Sequence, residues 1–345
     1  MKSVIKYFGT SLFFQLLSFF VSAQNFNFSE TEIENRIKTD IYFLASDSIK
    51  GREAGTINEK KAIQYISKKY KEIGLIPLFS DSSYIQKFTF DNYFTDEVKN
   101  KGFVVDFKNR TKKESANVIG FINNNASQSV VIGAHFDHMG IHYNKENGQA
   151  EIFYGADDNA SGTAGILEIA RYLKQYGGRN NNYVICAFSA EEKGLFGSKY
   201  FVTTKLFDTL NINYMIDLDM IGRLGDFGNK LFVNGVASGK WRKILKQNKP
   251  IDFKNKLVPD GMNASDDYPF YKKGVPVLFF ITGLHKDYHT PQDTPDKINY
   301  KGQMQIIKYI ESLINKLDEH KKVSYKTPSI YQTLRSYMIY AKMML

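Results

Sequence analysis

Short apolar runs recur through the middle of this chain, and three of the five end directly at an acid or a histidine. They cover residues 129–134, 183–190, 214–218, 231–234 and 275–281. Runs of this length between turn residues read as buried strands. Helical spacing fills the gaps: Ile166, Ile169, Ala170 and Leu173 repeat within 160–176, and 300–317 is a long helix. Ser238 is placed to cap a further helix reaching about Gln247. Strands alternating with helices predict a parallel sheet with covering helices. Pro276 falls near the start of the last strand, where a missing N–H is tolerated.

The first hundred residues add helices to this frame. Ile33, Ile37, Ile41 and Leu44 share one helical face, with Ser29 and Glu32 placed as a capping box. Ile63, Ile66, Tyr70 and Ile73 form a second stripe, and Gly74 terminates it. Between them, Gly51-Arg52-Glu53-Ala54-Gly55 is a turn. No repeat or low-complexity linker divides the 345 residues, so one domain of about 300 residues is the simplest account.

Composition excludes several functions. The formal charge is +10, but it is spread along the chain in short runs such as Lys60-Lys61 and Lys68-Lys69. No Arg-rich stripe interleaved with aromatics is present, so a nucleic-acid partner is not expected. The single cysteine, Cys186, rules out an intramolecular disulfide and a cysteine-built zinc finger, and it sits in an apolar run as a core residue. Residues 1–23 carry Lys2 and Lys6, an apolar stretch from about Tyr7 to Phe20, and the small pair Ser22-Ala23. That is the pattern of a signal peptide cleaved before Gln24, and it predicts an exported protein. The competing reading is a membrane anchor, but Gly9, Thr10, Ser11, Gln15 and Ser18 interrupt the run, and no stable membrane insertion is expected. Residues 24–322 form the expected domain. The tail 323–345 is basic and then rich in Tyr and Met, with Ile330, Leu334, Tyr337, Met338 and Ala341 as a helical face. A helix docked on the body is expected there, and a partner or membrane-surface contact is the alternative.

The strand ends carry the chemistry. The first delivers His135-Phe136-Asp137-His138, where alternation puts His135 and Asp137 on one side. A carboxylate so placed can hold the far N–H of a metal-binding imidazole. Gly155-Ala156-Asp157-Asp158-Asn159-Ala160-Ser161-Gly162 opens a helix, where an acid serves either as a cap or as a ligand. Glu191-Glu192 follows the 183–190 strand, offering a ligand beside a general base. Asp217 and Asp219 end the next strand, and Leu284-His285-Lys286-Asp287-Tyr288-His289 follows the last. Singly, each is an ordinary polar group. Together they supply nitrogen and oxygen donors of the kind zinc sites use.

In this order the motifs resemble those of the secreted di-zinc aminopeptidases, family 28 of metallopeptidase clan MH. The likeness runs from about Ile33 to Leu317 and takes in Gly51-Arg52-x-x-Gly55, Asn117-Val118-Ile119-Gly120 and Ser265-Asp266-Asp267-Tyr268-Pro269-Phe270. It implies a three-layer α/β/α sandwich with a mixed, mostly parallel central sheet. It implies two zinc ions, one held by His135 and Asp219, the other by Glu192 and His289, with Asp158 bridging. Glu191 is then the general base, Tyr288 polarises the substrate carbonyl, and Asp137 supports His135. A cis peptide is expected at Asp158–Asn159. The implied substrates are peptides with a free N-terminus, and a monomer is expected. Asp267 departs from the family pattern, which has histidine there, and the chain is too short for a protease-associated insert. His138, His142 and His285 are read as local polar residues and His320 as a surface one. A glutaminyl cyclase and a non-catalytic receptor-like domain are the alternatives on this scaffold. Arg223 is the cation that carboxypeptidase specificity would need.

Overall fold

Side chains along the central strands point alternately into two separate cores. Val130, Ile132 and Ala134 face one, and Val131 between them faces the other. The same alternation runs through Tyr183–Phe188 and Tyr214–Leu218. A sheet buried on both faces needs a helical layer on each, and both are present. The computed structural model describes residues 29–79, 82–99, 102–144, 148–260, 265–320 and 322–341. The expected signal peptide, residues 1–23, and the last four residues of the tail lie outside these.

Among the described residues the strands, in chain order, begin with β1 (Ile76–Pro77), β2 (Ile85–Asn92), β3 (Phe94–Lys99), β4 (Gly102–Val105) and β5 (Thr111–Ile122). Next come β6 (Ser129–His135), β7 (Gly140–Asn144), β8 (Gln149–Phe153) and β9 (Asn182–Phe188). The last are β10 (Ile212–Leu218), β11 (Lys230–Asn234), β12 (Lys254–Leu257) and β13 (Val277–Ile281). The helices are α1 (Glu30–Leu44), α2 (Ile57–Ile73), α3 (Gly162–Tyr176), α4 (Phe196–Phe201), α5 (Lys205–Thr209), α6 (Arg242–Gln247), α7 (Asp267–Lys272), α8 (Tyr300–Asp318) and α9 (Ile330–Ala341).

The large sheet runs β1-β5-β9-β6-β10-β13-β11-β12, with β2 also on β5. Its centre, β9-β6-β10-β13, is all parallel. The flanks are antiparallel where β5 meets β9 and β11 meets β13, which makes the sheet mixed. Helices α1, α3 and α8 cover one face, and α4 and α7 lie on the other. The three-layer α/β/α architecture is as expected. Cys186 is buried in the second core, and burial pushes its thiol well up. No helix of the described residues is long and apolar enough to cross a membrane.

Several local expectations hold. Ser29 and Glu32 form the capping box of α1, and Gly74 ends α2 in the left-handed conformation, φ 79°. Others do not. Ser238 starts no helix: its hydroxyl donates to the Val277 carbonyl and accepts the Val277 N–H, so it serves the start of β13, and α6 begins at Arg242. The strand expected at 275–281 begins after Pro276. The four-stranded sheet β4-β3-β7-β8 went unread. Its hairpin leaves Ile141 and Tyr143 exposed, so it lacks the buried apolar run that marks the central strands.

The tail helix docks, but not by the expected face. Ser336 and Tyr340 are the buried residues of α9, while Ile330, Tyr331, Leu334, Tyr337 and Met338 are 52–81% exposed. The polar groups decide the orientation. Thr333 donates to the Asp260 carboxylate at 2.8 Å, the Asp260 N–H donates to Ser336 Oγ at 2.9 Å, and Tyr340 donates to Asn234 Oδ1 at 2.6 Å.

Arg52 pins one end of the fold, at the exit of β6. It is fully buried, and its guanidinium donates to five carbonyl oxygens: Leu44, Phe136, Tyr154, Gly155 and Asp158. These belong to the end of α1, the exit of β6 and the turn before α3. Burial lowers its pKa to about 10, opposed by Asp158 and Asp137, so it stays charged at neutral pH. Replacing Arg52 with Ala is expected to cost about 3 kcal/mol or more in urea unfolding, because the carbonyls lose a desolvated partner. Arg52→Lys should recover less than half, since an ammonium lacks the planar fork. A second expectation concerns α8. Burial and the nearby Glu168 raise the Glu311 pKa to about 8, against Lys308 and Arg36. An acid whose folded pKa is raised is destabilising once ionised: its contribution is intact below the unfolded value and is lost as pH rises through about 8. Glu311→Gln should therefore gain thermal stability that grows between pH 5 and 8 and levels off above, reaching ~2–5 °C in Tm.

Candidate metal centre

Four loops meet at the carboxyl ends of β9, β6, β10 and β13, where ligands gather in open α/β sheets. His135 is the last residue of β6 and is buried between the two neighbouring strands. Glu191 and Glu192 follow β9, Asp219 follows β10, and Tyr288 and His289 follow β13. Asp158 comes from the turn Ala156–Ser161 that leads into α3, and the Asp158–Asn159 peptide is cis, as expected.

The sequence motifs are legible as staples between these loops. Asn159 donates to the Leu218 carbonyl at 2.9 Å and accepts from the Gly162 and Met220 N–H groups. Asp157 accepts the Gly222 N–H at 2.6 Å, and Ser161 accepts the Ile221 N–H at 3.0 Å. The turn before α3 and the exit of β10 thus lock together. Asp293 accepts the N–H groups of Asp157 and Asp158, tying the loop after β13 to the same turn. Asn117 accepts the Ser189 N–H at 3.1 Å and so holds the start of the Glu191 loop. Gly155 has φ 60°, and a Cβ there would collide with the His138 ring and the Asp158 carbonyl.

The side chains converge. His135 Nε2 lies 3.4 Å from Asp158 Oδ1, 3.3 Å from Asp219 Oδ1 and 4.0 Å from Glu191 Oε2. His289 Nε2 lies 3.1 Å from Asp158 Oδ2 and 3.1 Å from Glu192 Oε2. Asp158 therefore presents one oxygen to each imidazole. All five residues expected as metal donors are brought together, with Glu191 beside them. Tyr288 stacks on His289 with ring centroids 3.8 Å apart.

Three placements differ from expectation. His138 is no bystander: it is buried, and its Nδ1 lies 2.8 Å from Glu192 Oε1 and 3.8 Å from Asp158 Oδ2. The sequence signal was available, since His138 follows His135 by three residues in the same strand exit. The Asp137 carboxylate does not hold His135 as foreseen. It stands 3.8 Å from Nδ1 and instead accepts the Glu191 N–H at 3.1 Å. The Asp137 backbone oxygen is the nearer neighbour of Nδ1, at 3.2 Å. His285 is also engaged, 3.2 Å from Asp157 Oδ2, beneath the site. Arg223 is committed to Asp226 at 2.8 Å and Asp287 at 3.2 Å. Asp267 donates its N–H to Asp217 Oδ2, while Ser265 donates to Asp219 Oδ2 at 3.0 Å.

The donor set fits divalent cations. Two groups, His135/Asp158/Asp219 and His138/Asp158/Glu192, each have donor atoms within 4.8 Å of one another. Asp158 Oδ2 and Asp219 Oδ1 are buried with no well-formed hydrogen bond. Clustered carboxylates out of water are costly unless a cation compensates them. Burial opposes ionisation of Asp158, but His135, His138 and His289 outweigh it and hold its pKa well below the usual range. Glu191 goes the other way. Burial pushes it well up, His135 opposes this, and Glu192 and Asp219 add to it.

The match with Peptidase family M28 covers residues 117–314, more than half of the chain. The chain is 30% identical over 210 residues to aminopeptidase YwaD of Bacillus subtilis (strain 168). That alignment covers 56% of this chain and 43% of the relative's own length. The fold is similar to that of an aminopeptidase from Aneurinibacillus sp. strain AM-1, with TM-score 0.64, 18% identity and coverage of 86% of this chain and 95% of that one. It is also similar to a glutaminyl cyclase from Bacteroides thetaiotaomicron, with TM-score 0.63, 18% identity and coverage of 84% and 98%. With more than half of its length matched, this chain belongs to peptidase family M28.

Proposed function

We propose that the chain is an exported zinc aminopeptidase that hydrolyses the first peptide bond of peptides with a free N-terminus, working as a monomer after removal of residues 1–23. One observation carries this reading: Asp158 divides its two oxygens between His135, at 3.4 Å, and His289, at 3.1 Å. A carboxylate shared between two donor groups suits two metal ions and has no use in a single ion pair. In this reading His135 and Asp219 hold one zinc, Glu192 and His289 the other, and Asp158 both. His138 supports the second group through Glu192. Bound there, zinc supplies a Lewis acid and brings the pKa of a water towards ~7.

The chain's own residues do the rest. Glu191 takes a proton from the attacking water as its oxygen bonds to the carbonyl carbon. Burial raises its proton affinity, as do Glu192 and Asp219 against His135, which favours a group that must hold that proton. Glu191 then gives the proton to the leaving nitrogen as the C–N bond breaks. Asp137 fixes where Glu191 stands, through its N–H. Burial and the surrounding carboxylates keep the Tyr288 hydroxyl protonated far above its ordinary range, so it remains a donor for the carbonyl oxygen. An acid-lined centre attracts the protonated α-amine of a free N-terminus.

Two measurements test the reading. Protein starting at Gln24 should cleave a short peptide with a free N-terminus and leave its acetylated twin intact, and a zinc chelator should abolish the cleavage. Cleavage of both forms would point to endo- or carboxypeptidase action instead. Cyclisation of an N-terminal glutamine without cleavage would favour the glutaminyl cyclase reading. Glu191→Gln should keep its zinc content and lose roughly 10²–10⁴-fold in kcat. Retained turnover would remove Glu191 from the role of base.

A further inference from the structure

We propose that the C-terminal helix α9 positions the catalytic centre, with Tyr340 as its positioning residue; this rests on the metallopeptidase reading above. The tail runs as a strap from the far end of the sheet to the catalytic end. The Val323 N–H donates to Asn213 Oδ1 beside the start of β10, and the Lys326 N–H to the Ser238 carbonyl. Thr333 and Ser336 then bind Asp260, and Tyr340 binds Asn234 at the end of β11. Asn234 donates in turn to the Phe279 carbonyl of β13. The tail's own residues, from Val323 on, lie beyond the stretch 117–314 that matches the family, while their partners lie within it.

At the catalytic end α9 completes a small apolar cluster separate from the two main cores. Its buried members are Met220, Phe232, Val258, Phe279, Ile281 and Tyr340. Tyr288 and Ile339 pack against it. Two of these residues are chain neighbours of proposed zinc donors: Met220 follows Asp219, and Tyr288 precedes His289. Met220 and His289 also both have positive φ, 55° and 52°. A side-chain-bearing residue in that region costs ~1–2 kcal/mol and persists only where its surroundings hold it. The cluster is part of those surroundings, on one side for each half of the site. Tyr340 thus acts through Met220 and Tyr288 and touches no reacting atom.

The test measures zinc affinity by competition with a chromogenic chelator, kcat and KM on a free N-terminal peptide, and the thermal midpoint. It compares the full chain with Tyr340→Ala, Tyr340→Phe, Ile339→Ala and the exposed-face control Leu334→Ala. Tyr340→Ala should lose ~10–100-fold in zinc affinity and in kcat, the scale seen when supports of metal ligands are removed, with a smaller change in KM. Tyr340→Phe should recover most of the loss, and Leu334→Ala should match the unmodified chain. Ile339→Ala should move the same way by less, and it decides the matter if Tyr340→Ala does not fold. Unchanged zinc affinity and kcat in the folded cluster variants, with an unmodified chain that binds zinc, would overturn the proposal alone. An unmodified chain without zinc affinity would overturn the reading of the site, and this proposal with it.

Discussion

The carboxyl end of the central strands rests on holding carboxylates still where there is almost no water. Asp137, Asp157, Asp158, Asp217 and Asp219 are all buried within a few residues of the strand ends, and Asp293 is buried in the loop that follows β13. Left alone, such charges would repel one another and draw water in. The structure answers with donors built into the backbone. The Glu191 N–H serves Asp137, the Gly222 N–H serves Asp157, those of Asp157 and Asp158 serve Asp293, and that of Asp267 serves Asp217. Asp137, Asp157, Asp217 and Asp293 are thereby held by loops other than their own. The guanidinium of Arg52, caged by carbonyl oxygens, supplies fixed positive charge close by. Geometry at the site is a property of the whole network, and no loop carries it alone.

The sequence reveals the parallel centre of the fold because that centre is buried on both faces. A strand such as 183–188 must then be apolar throughout, and that pattern is legible in the sequence. The flanking strand β5 shows why the rest stays hidden. It begins with Thr111 and Lys112, which are exposed, as is Glu114, and burial sets in only from Ser115. The small sheet β4-β3-β7-β8 offers even less contrast. At the site, the donors were legible because strand exits announce themselves. Arg52 was visible as a turn residue only. Nothing local foretells that its side chain reaches residues 84 and 106 positions away. His138 was discounted because chemistry at i+3 from a ligand depends on where the exit turns.

The tail inverts the usual rule for amphipathic helices. The stripe of Ile330, Leu334, Tyr337 and Met338 is the more apolar face, yet it is the one turned to solvent. Hydrogen bonds from Thr333 and Tyr340 and to Ser336 override the hydrophobic preference, because Asp260 and Asn234 need partners where water is scarce. A hydrophobicity count weighs only area. It misses the larger penalty of leaving such groups unbonded.

The parallel order of β9, β6, β10 and β13 also governs when the site comes into being. Its side chains come from positions 135 to 289, and each strand pairing that unites them spans a long loop. Contacts of such separation form late, after chain entropy has been spent on the intervening segments. A nascent or truncated chain lacking β13 carries Asp158 and His135 with no His289 to face them. Such a chain lacks the imidazole that stands 3.1 Å from both Asp158 Oδ2 and Glu192 Oε2. Any ion bound only by the finished arrangement in turn pulls the folding equilibrium towards it.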